Sequence, residues 1–258
     1  MKTNIPERIA ALREAMRQQK VDAYIIPSSD PHLSEYPADR WKSREWISGF
    51  TGSAGTIVVT ADKAGLWTDS RYFLQAASQL EGSGIELYKL ALPETPSITE
   101  FLLHELHAGQ AVGLDGQTYS AAEASALANK LNRKEIKLDT SADLIEGIWK
   151  DRPAVPGNPI FEMPEALSGA SVHEKLDLIN NQLRSEGADC LILAALDEIA
   201  WTFNIRGTDV TYNPVVVSYA FVSEDESVLF IKPEKLTAEI TEHLKKEGVT
   251  LAEYSMIQ

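Results

Sequence analysis

Thr56-Ile57-Val58-Val59-Thr60-Ala61-Asp62-Lys63-Ala64-Gly65-Leu66-Trp67-Thr68 reads as two strands folded about a tight turn at Ala61-Asp62-Lys63. Two runs of β-branched and apolar residues this close together can pair only antiparallel. The segments around them alternate helix and strand. Ile9, Leu12, Ala15 and Met16 fall at helical spacing between Ile5 and Lys20, with Pro6 near the start, where its missing N–H costs little. Val21 to Ile26 is a short buried strand ended by Pro27, and Ser28 to Arg40 is a polar loop. Asp69 can cap a helix over Tyr72 to Leu80, and Ile85 to Leu90 is a strand. Thr95 to His107 is a helix, with Ser97 or Thr99 as cap and Glu100 in its first turn. Val112 to Asp115 and Ile136 to Leu138 are strands, Ser120 to Leu131 is an alanine-rich helix, and Leu144 to Lys150 is a short helix. The fold class is therefore α/β, and the hairpin makes the sheet mixed, flanked by helices.

Prolines 153, 156, 159 and 164, with Gly157 and Asn158, mark a linker between Asp151 and Leu167. Beyond it the pattern restarts. At an offset of 167, Ile9 falls on Leu176, Leu12 on Ile179, Met16 on Leu183, Asp22 on Asp189 and Tyr24-Ile25-Ile26 on Leu191-Ile192-Leu193. Trp46-x-x-x-Phe50-x-Gly52-Ser53 matches Trp201-x-x-x-Ile205-x-Gly207-Thr208 at 155, because the first copy has the longer loop. Ala64–Thr68 matches Ser227–Ile231 at 163, and Gly84-Ile85-x-Leu87 matches Gly248-Val249-x-Leu251 at 164. One α/β domain has been duplicated. This divides the chain into a first domain over 1–152, a proline-rich linker over 153–168 and a second domain over 169–258. The second copy lacks counterparts for the elements after Leu87 and reads as incomplete.

Composition narrows the function. Of 258 residues, 44% are apolar and 24% charged, the balance of a folded globular protein. Twenty-four basic against 38 acidic residues give a net charge of −14, which argues against nucleic acid or an anionic membrane as partner. Cys190 is the single cysteine, so no internal disulfide forms and a reducing cytoplasm is the expected compartment. Met1 to Arg8 has no apolar core of signal-peptide length, and no apolar run nears the roughly 20 residues that cross a bilayer.

Motifs of catalysis are wanting. His104 and His107 are three apart, whereas a zinc-protease helix needs four, so an exposed helix face is expected there. His32, His173 and His243 stand alone, in loops or on helix surfaces. Gly52-Ser53-Ala54-Gly55 is not a nucleophile elbow, and its small residues suit a tight turn into the strand at Thr56. Gly82-Ser83-Gly84 lacks the third glycine of a dinucleotide loop and reads as a turn. Cys190, in a strand expected to be buried, reads as an inert core thiol. Glu234 to Glu247 mixes carboxylates with lysines, the pattern of a solvated face. Two segments are unusual. In Trp67–Phe73, Arg71 follows the carboxyl end of a strand, where α/β sheets present binding groups. It can pair with a substrate carboxylate, with a partner, or with Asp69 beside it. In Asp197–Asp209, followed by Tyr212-Asn213-Pro214, Arg206 beside Gly207 suggests a turn held by polar contacts.

These segments resemble the N-terminal half of the three-domain Xaa-Pro aminopeptidases, the aminopeptidase P group of the creatinase/prolidase superfamily. The resemblance lies in W-I-S-G-F-T-G-S-A-G at Trp46–Gly55, W-T-D-S-R-Y-F-L-Q-A at Trp67–Ala76, W-K-D-R-P at Trp149–Pro153, and Asp197–Asp209 with Tyr212-Asn213-Pro214. It implies two tandem creatinase/prolidase N-terminal-type domains. It also implies a cytosolic, usually dimeric peptidase that removes the residue preceding proline. In that family a C-terminal catalytic domain holds two divalent metal ions, usually manganese, bound by Asp, His and Glu, which would polarise the scissile carbonyl and bridge an activated hydroxide. No residue of this chain matches a metal ligand or a catalytic residue, so none is assigned. Arg71 matches a family arginine that reaches the bound peptide, which makes it the one expected substrate-binding residue. The expected role is to gate the active site, limit substrate length and supply Arg71, with the chain inactive by itself. The alternatives are a stand-alone binding or assembly module, and a creatinase or prolidase, whose usual single N-terminal domain fits the duplication poorly.

Overall fold

The computed structural model describes residues 4–141 and 143–257, so the start of the signal-peptide reading, Met1–Thr3, lies outside the described residues. Two compact units divide the chain, Met1–Pro153 and Ala154–Gln258.

The first unit runs α1 (Ile5–Gln19), β1 (Ala23–Ile26), α2 (Ser43–Ser48), β2 (Thr56–Thr60), β3 (Ala64–Thr68), α3 (Phe73–Gln79), β4 (Glu86–Lys89), α4 (Ile98–Glu105), β5 (Ala111–Leu114), α5 (Ala121–Asn132), β6 (Lys137–Asp139) and α6 (Leu144–Ile148). Its sheet has the order β4-β3-β2-β1-β5-β6. β2 runs against both neighbours and every other pair is parallel, so the sheet is mixed and the β2–β3 pair antiparallel as the hairpin required. Helix starts follow side-chain chemistry. Asn4 caps α1, and Ser97 and Ser120 form reciprocal capping boxes with Glu100 and Glu123, each satisfying orphan N–H groups. Alternation along β1 divides the core. Tyr24 and Ile26 face a cluster with Leu12, Met16 and Ile145, while Ala23 and Ile25 face a second cluster with Phe101, Leu102 and Leu131. Both faces of this sheet are therefore covered by helices.

The second unit runs β7 (Phe161–Glu162), α7 (Glu165–Ser168), α8 (Val172–Glu186), β8 (Cys190–Leu193), α9 (Leu196–Thr202), β9 (Ile205–Arg206), β10 (Ser218–Ser223), β11 (Ser227–Ile231), α10 (Ala238–Lys246) and β12 (Val249–Ala252). The residues read as a linker carry structure of their own. Ile160 is buried in the second core, β7 pairs with β9, and α7 begins just after Pro164, so the prolines sit at element boundaries. The larger sheet has the order β12-β11-β10-β8, with β10 antiparallel to both neighbours and β11 parallel to β12. That repeats β4-β3-β2-β1 strand for strand. The aligned glycines Gly84 and Gly248 both take φ in the left-handed region, +78° and +83°, just before equivalent strands.

The expectation for Cys190 is overturned. Cys190 is exposed and not a core thiol, because β8 is an edge strand with one face open. A single sequence-strand cannot report whether a neighbouring strand and helix cover it.

Candidate functional site

In the first unit, the carboxyl ends of β1 and β3 and the amino end of β2 share one side of the sheet, a consequence of β2 running alone against its neighbours. Three connections converge there: the loop after β1, the segment Phe50–Gly55, and Asp69–Tyr72. Hydrogen bonds tie them together. Ser28 Oγ donates to the Gly55 carbonyl (2.6 Å) and Thr68 Oγ1 to that of Ala54 (2.6 Å). Ser53 Oγ and the Tyr72 hydroxyl lie 2.7 Å apart. Buried Arg44 donates to the carbonyls of Phe50 (2.7 Å) and Gly52 (2.5 Å), and burial lowers its pKa to about 10. Gly52 is obligatory: a Cβ there would stand 2.3 Å from Phe50 Cζ and 2.7 Å from Tyr72 Cδ1. The small residues at 52–55 therefore serve a close approach, in keeping with the turn reading. Asp30 is fully buried, its Oδ1 accepting from the amides of His32 and Ser34 (2.9 Å each), and its Oδ2 has no hydrogen-bond partner among the described residues.

Arg71 stands at the rim of this frame. Asp69 caps the single helical turn Ser70–Tyr72, accepting from the Arg71 amide at 3.0 Å. It also receives the guanidinium bidentately, Nε at 2.9 Å and Nη2 at 2.8 Å. The local ion pair is thus formed, with the arginine charge fixed in direction by Asp69 and by the Tyr72 ring, 5.2 Å away. These bonds lower the Asp69 pKa and raise that of Arg71. The arginine side chain stays 62% exposed, so it can donate to a ligand carbonyl or carboxylate.

The other motifs have structural work. Trp149 stacks on Trp46 (5.2 Å between ring centroids), and the buried Arg152 side chain binds Asp143, Glu146 (2.8 Å) and the Arg40 carbonyl (3.0 Å). In the second unit Arg206 donates to the carbonyls of Ala200 and Ile205, the polar contacts expected at this turn. Lys175 is buried, donating to the Trp201 carbonyl (2.8 Å) and to Asn204. Lys235 is buried against Asp209, whose Oδ2 also accepts from the Val217 amide (2.7 Å). That lysine departs from the solvated face expected over Glu234–Glu247. Sequence reading missed the burial of Arg44, Lys175 and Lys235, since Lys and Arg are seldom fully buried. The separation of Asp209 from Lys235 along the chain gives no local sign of pairing. His104 lies exposed against Glu105 (2.9 Å), and His32, placed in a loop as expected, is buried.

No group of three or more His, Cys, Asp or Glu among the described residues could hold a metal ion. The described residues therefore hold no group that would fit the dinuclear centre implied by the resemblance. No helix among the described residues is long and apolar enough to cross a membrane.

Two family models described as the creatinase/prolidase N-terminal domain match the chain, one over residues 8–148 and one over 151–258. The chain belongs to the creatinase/prolidase N-terminal domain family. Two tandem domains of this family account for the repeated strand order. Relatives include a protein named Probable Xaa-Pro aminopeptidase P from Botryotinia fuckeliana, 41% identical over 98% of this chain and 39% of its own length. Aminopeptidase P2 from Arabidopsis thaliana is 41% identical over 99% of this chain and 37% of its own length. A crystal structure of X-prolyl aminopeptidase from Caenorhabditis elegans, described as a cytosolic enzyme with a di-nuclear active site, superposes with a TM-score of 0.93. It is 31% identical, covering 98% of this chain and 43% of that one. The chain thus spans about two fifths of the length of these relatives and corresponds to a portion of the Xaa-Pro aminopeptidase P homologues.

Proposed function

We propose that this chain forms the two non-catalytic N-terminal domains of a metal-dependent Xaa-Pro aminopeptidase in the cytoplasm, which removes the residue preceding proline. The observation that carries the reading is 41% identity along 98% of the chain to a protein of that name. In this reading the two divalent metals, manganese by family precedent, belong to a C-terminal catalytic domain. The present domains gate the approach to that centre, and homodimerisation belongs to the whole enzyme. Arg71 donates to the bound peptide, with Asp69 and Tyr72 holding its direction.

The test has two arms. This chain with manganese should release no residue from an X-Pro peptide, and metal-dependent release would overturn the assignment. In the full-length enzyme, Arg71→Ala should lower kcat/KM by roughly tenfold to a hundredfold, the cost of a hydrogen bond to a charged donor at about 1.5–3 kcal/mol. Because Arg71 is exposed, its melting temperature should hold. Unchanged kcat/KM would reduce Arg71 to its pair with Asp69.

A further inference from the structure

The end of the first sheet away from Arg71 gathers the amino ends of β1 and β5 and the carboxyl end of β2. A cleft of about 480 Å³ lies there, with Arg13, Arg17 and Lys20 around a floor of Met16 and Val21. The three cations are four and three residues apart, so they share one face of α1 and its exit. Like charges four apart weaken a helix, and the chain as a whole carries a charge of −14, so the grouping calls for a cause. Helix polarity supplies part of one. Arg17 and Lys20 sit in or just past the last turn, where a cation meets the negative end of the helix dipole, and Arg17 also pairs with Glu14. Arg13 lies before that turn. Its Nε donates to the Thr60 carbonyl (2.9 Å), which fixes the guanidinium, and no carboxylate pairs with its other nitrogens among the described residues. The Lys20 ammonium has no carboxylate partner among them either.

The internal repeat shows what the fold alone requires here. At the offset of 167, Arg13 falls on Asn180, Arg17 on Arg184 and Lys20 on Gly187. Gly187 and Lys20 both end their helices in the left-handed region, at φ +66° and +57°. Glycine takes that conformation without strain and lysine does not. The first copy therefore carries two cations that its second copy omits, one of them at a strained position, and neither has an ion pair within the described residues. Asp22, the carboxylate in the cleft, is already engaged, accepting from Gln110 Nε2 and the Ala111 amide (2.9 Å each).

We infer that this cleft binds a small phosphate-bearing anion. With Nε held by Thr60, Arg13 offers its two Nη groups to two phosphate oxygens, and Arg17 and Lys20 add charge that suits a dianion better than a single carboxylate. Met16 and Val21 provide an apolar floor for the organic part, and the volume is that of a small-molecule site. The cleft lies at the opposite end of the sheet from Arg71, so the inference and the peptidase reading fail separately.

Calorimetric titration of the 258-residue chain with phenyl phosphate and with inorganic pyrophosphate tests it. Saturable one-to-one binding is expected, with benzoate weaker than phenyl phosphate by about tenfold or more. Arg13→Gln and Lys20→Gly should each weaken phosphate binding by about tenfold or more. Lys20→Gly installs the residue the second copy uses, so its melting temperature should hold or rise, which keeps the test open even where Arg13→Gln folds poorly. Arg184→Gln, at the equivalent helix end of the second copy, should leave binding unchanged. Four results would overturn the inference: no saturable binding of either phosphate at millimolar concentration, unaltered binding in both cleft variants, an equal loss in Arg184→Gln, or an oligoglutamate peptide binding more tightly than either phosphate.

Discussion

Removing the Asp209 carboxylate tests the packing of the second unit most severely. Asp209 and Lys235 have side chains of 0% exposure, and burial lowers the Lys235 pKa even with the carboxylate in place. In Asp209→Ala the ammonium loses its counter-charge, and the Val217 amide loses its acceptor. Breaking one side of a buried pair costs about 3–5 kcal/mol. Deprotonation sets the ceiling. Neutralising a lysine of ordinary pKa 10.5 at pH 7 costs ~4.8 kcal/mol at 1.36 kcal/mol per unit, so the charge penalty cannot exceed that. At pH 9 the same ceiling is only ~2 kcal/mol. The sign follows from linkage: the folded variant holds Lys235 neutral, the unfolded chain binds the extra proton, and stability rises with pH up to about 10.5. Urea unfolding followed by circular dichroism should show a loss of about 3–5 kcal/mol at pH 7 that shrinks by pH 9. Asp209→Ala with Lys235→Met should recover most of it, since apolar replacement of a whole buried pair is near neutral. A cost under about 1 kcal/mol at pH 7, or a double variant no better than the single one, would refute the reasoning.

Gly52→Ala forces a Cβ to 2.3 Å from Phe50 Cζ, and Phe50 is fully buried with Arg44 stacked on it at 4.9 Å, so neither can yield cheaply. Overpacking of this kind costs about 1–3 kcal/mol and should lower the melting temperature of the first unit by several degrees; an unchanged melting temperature would contradict the geometry. Acid should destabilise the whole chain. Glu105, Asp139 and Glu174 are held below their ordinary values of 4.5 and 3.8 by bonds to Lys63, Ser141 and Ser171 respectively. Their contribution is complete above the ordinary values and lost as pH falls through the lowered ones. Asp115, raised by burial, opposes this weakly, so urea midpoints should fall between pH 5 and pH 3, and a rising midpoint would disprove the balance.

Local chemistry in the sequence reached far. The hairpin was legible to the residue, because strand apolarity and a three-residue turn are encoded within thirteen consecutive positions. A helix start beside Glu100 was legible for the same reason, and of the two caps offered, Ser97 and Thr99, the helix uses Ser97. The short α2 went unread, since its Ser43–Ser48 segment has no apolar period and is held through Arg44 and the stacked Trp46. The duplication was legible because apolar spacing survives divergence, whereas each copy's neighbours do not announce themselves. Arg71 was found by motif, yet its bond to Asp69 could be weighed only when the turn at Ser70–Tyr72 was seen.

The sequence by itself determined most helices and strands of the first unit, that its sheet is mixed, and that the unit occurs twice. These follow from periodicities of two and 3.6 residues and from capping chemistry, which act within a few residues. Only tertiary structure decided which face of each strand meets protein. Equivalent strands bury Ala23 and expose Cys190, and two lysines enter the second core. Burial depends on elements distant in the chain, and an isolated strand cannot encode whether they arrive.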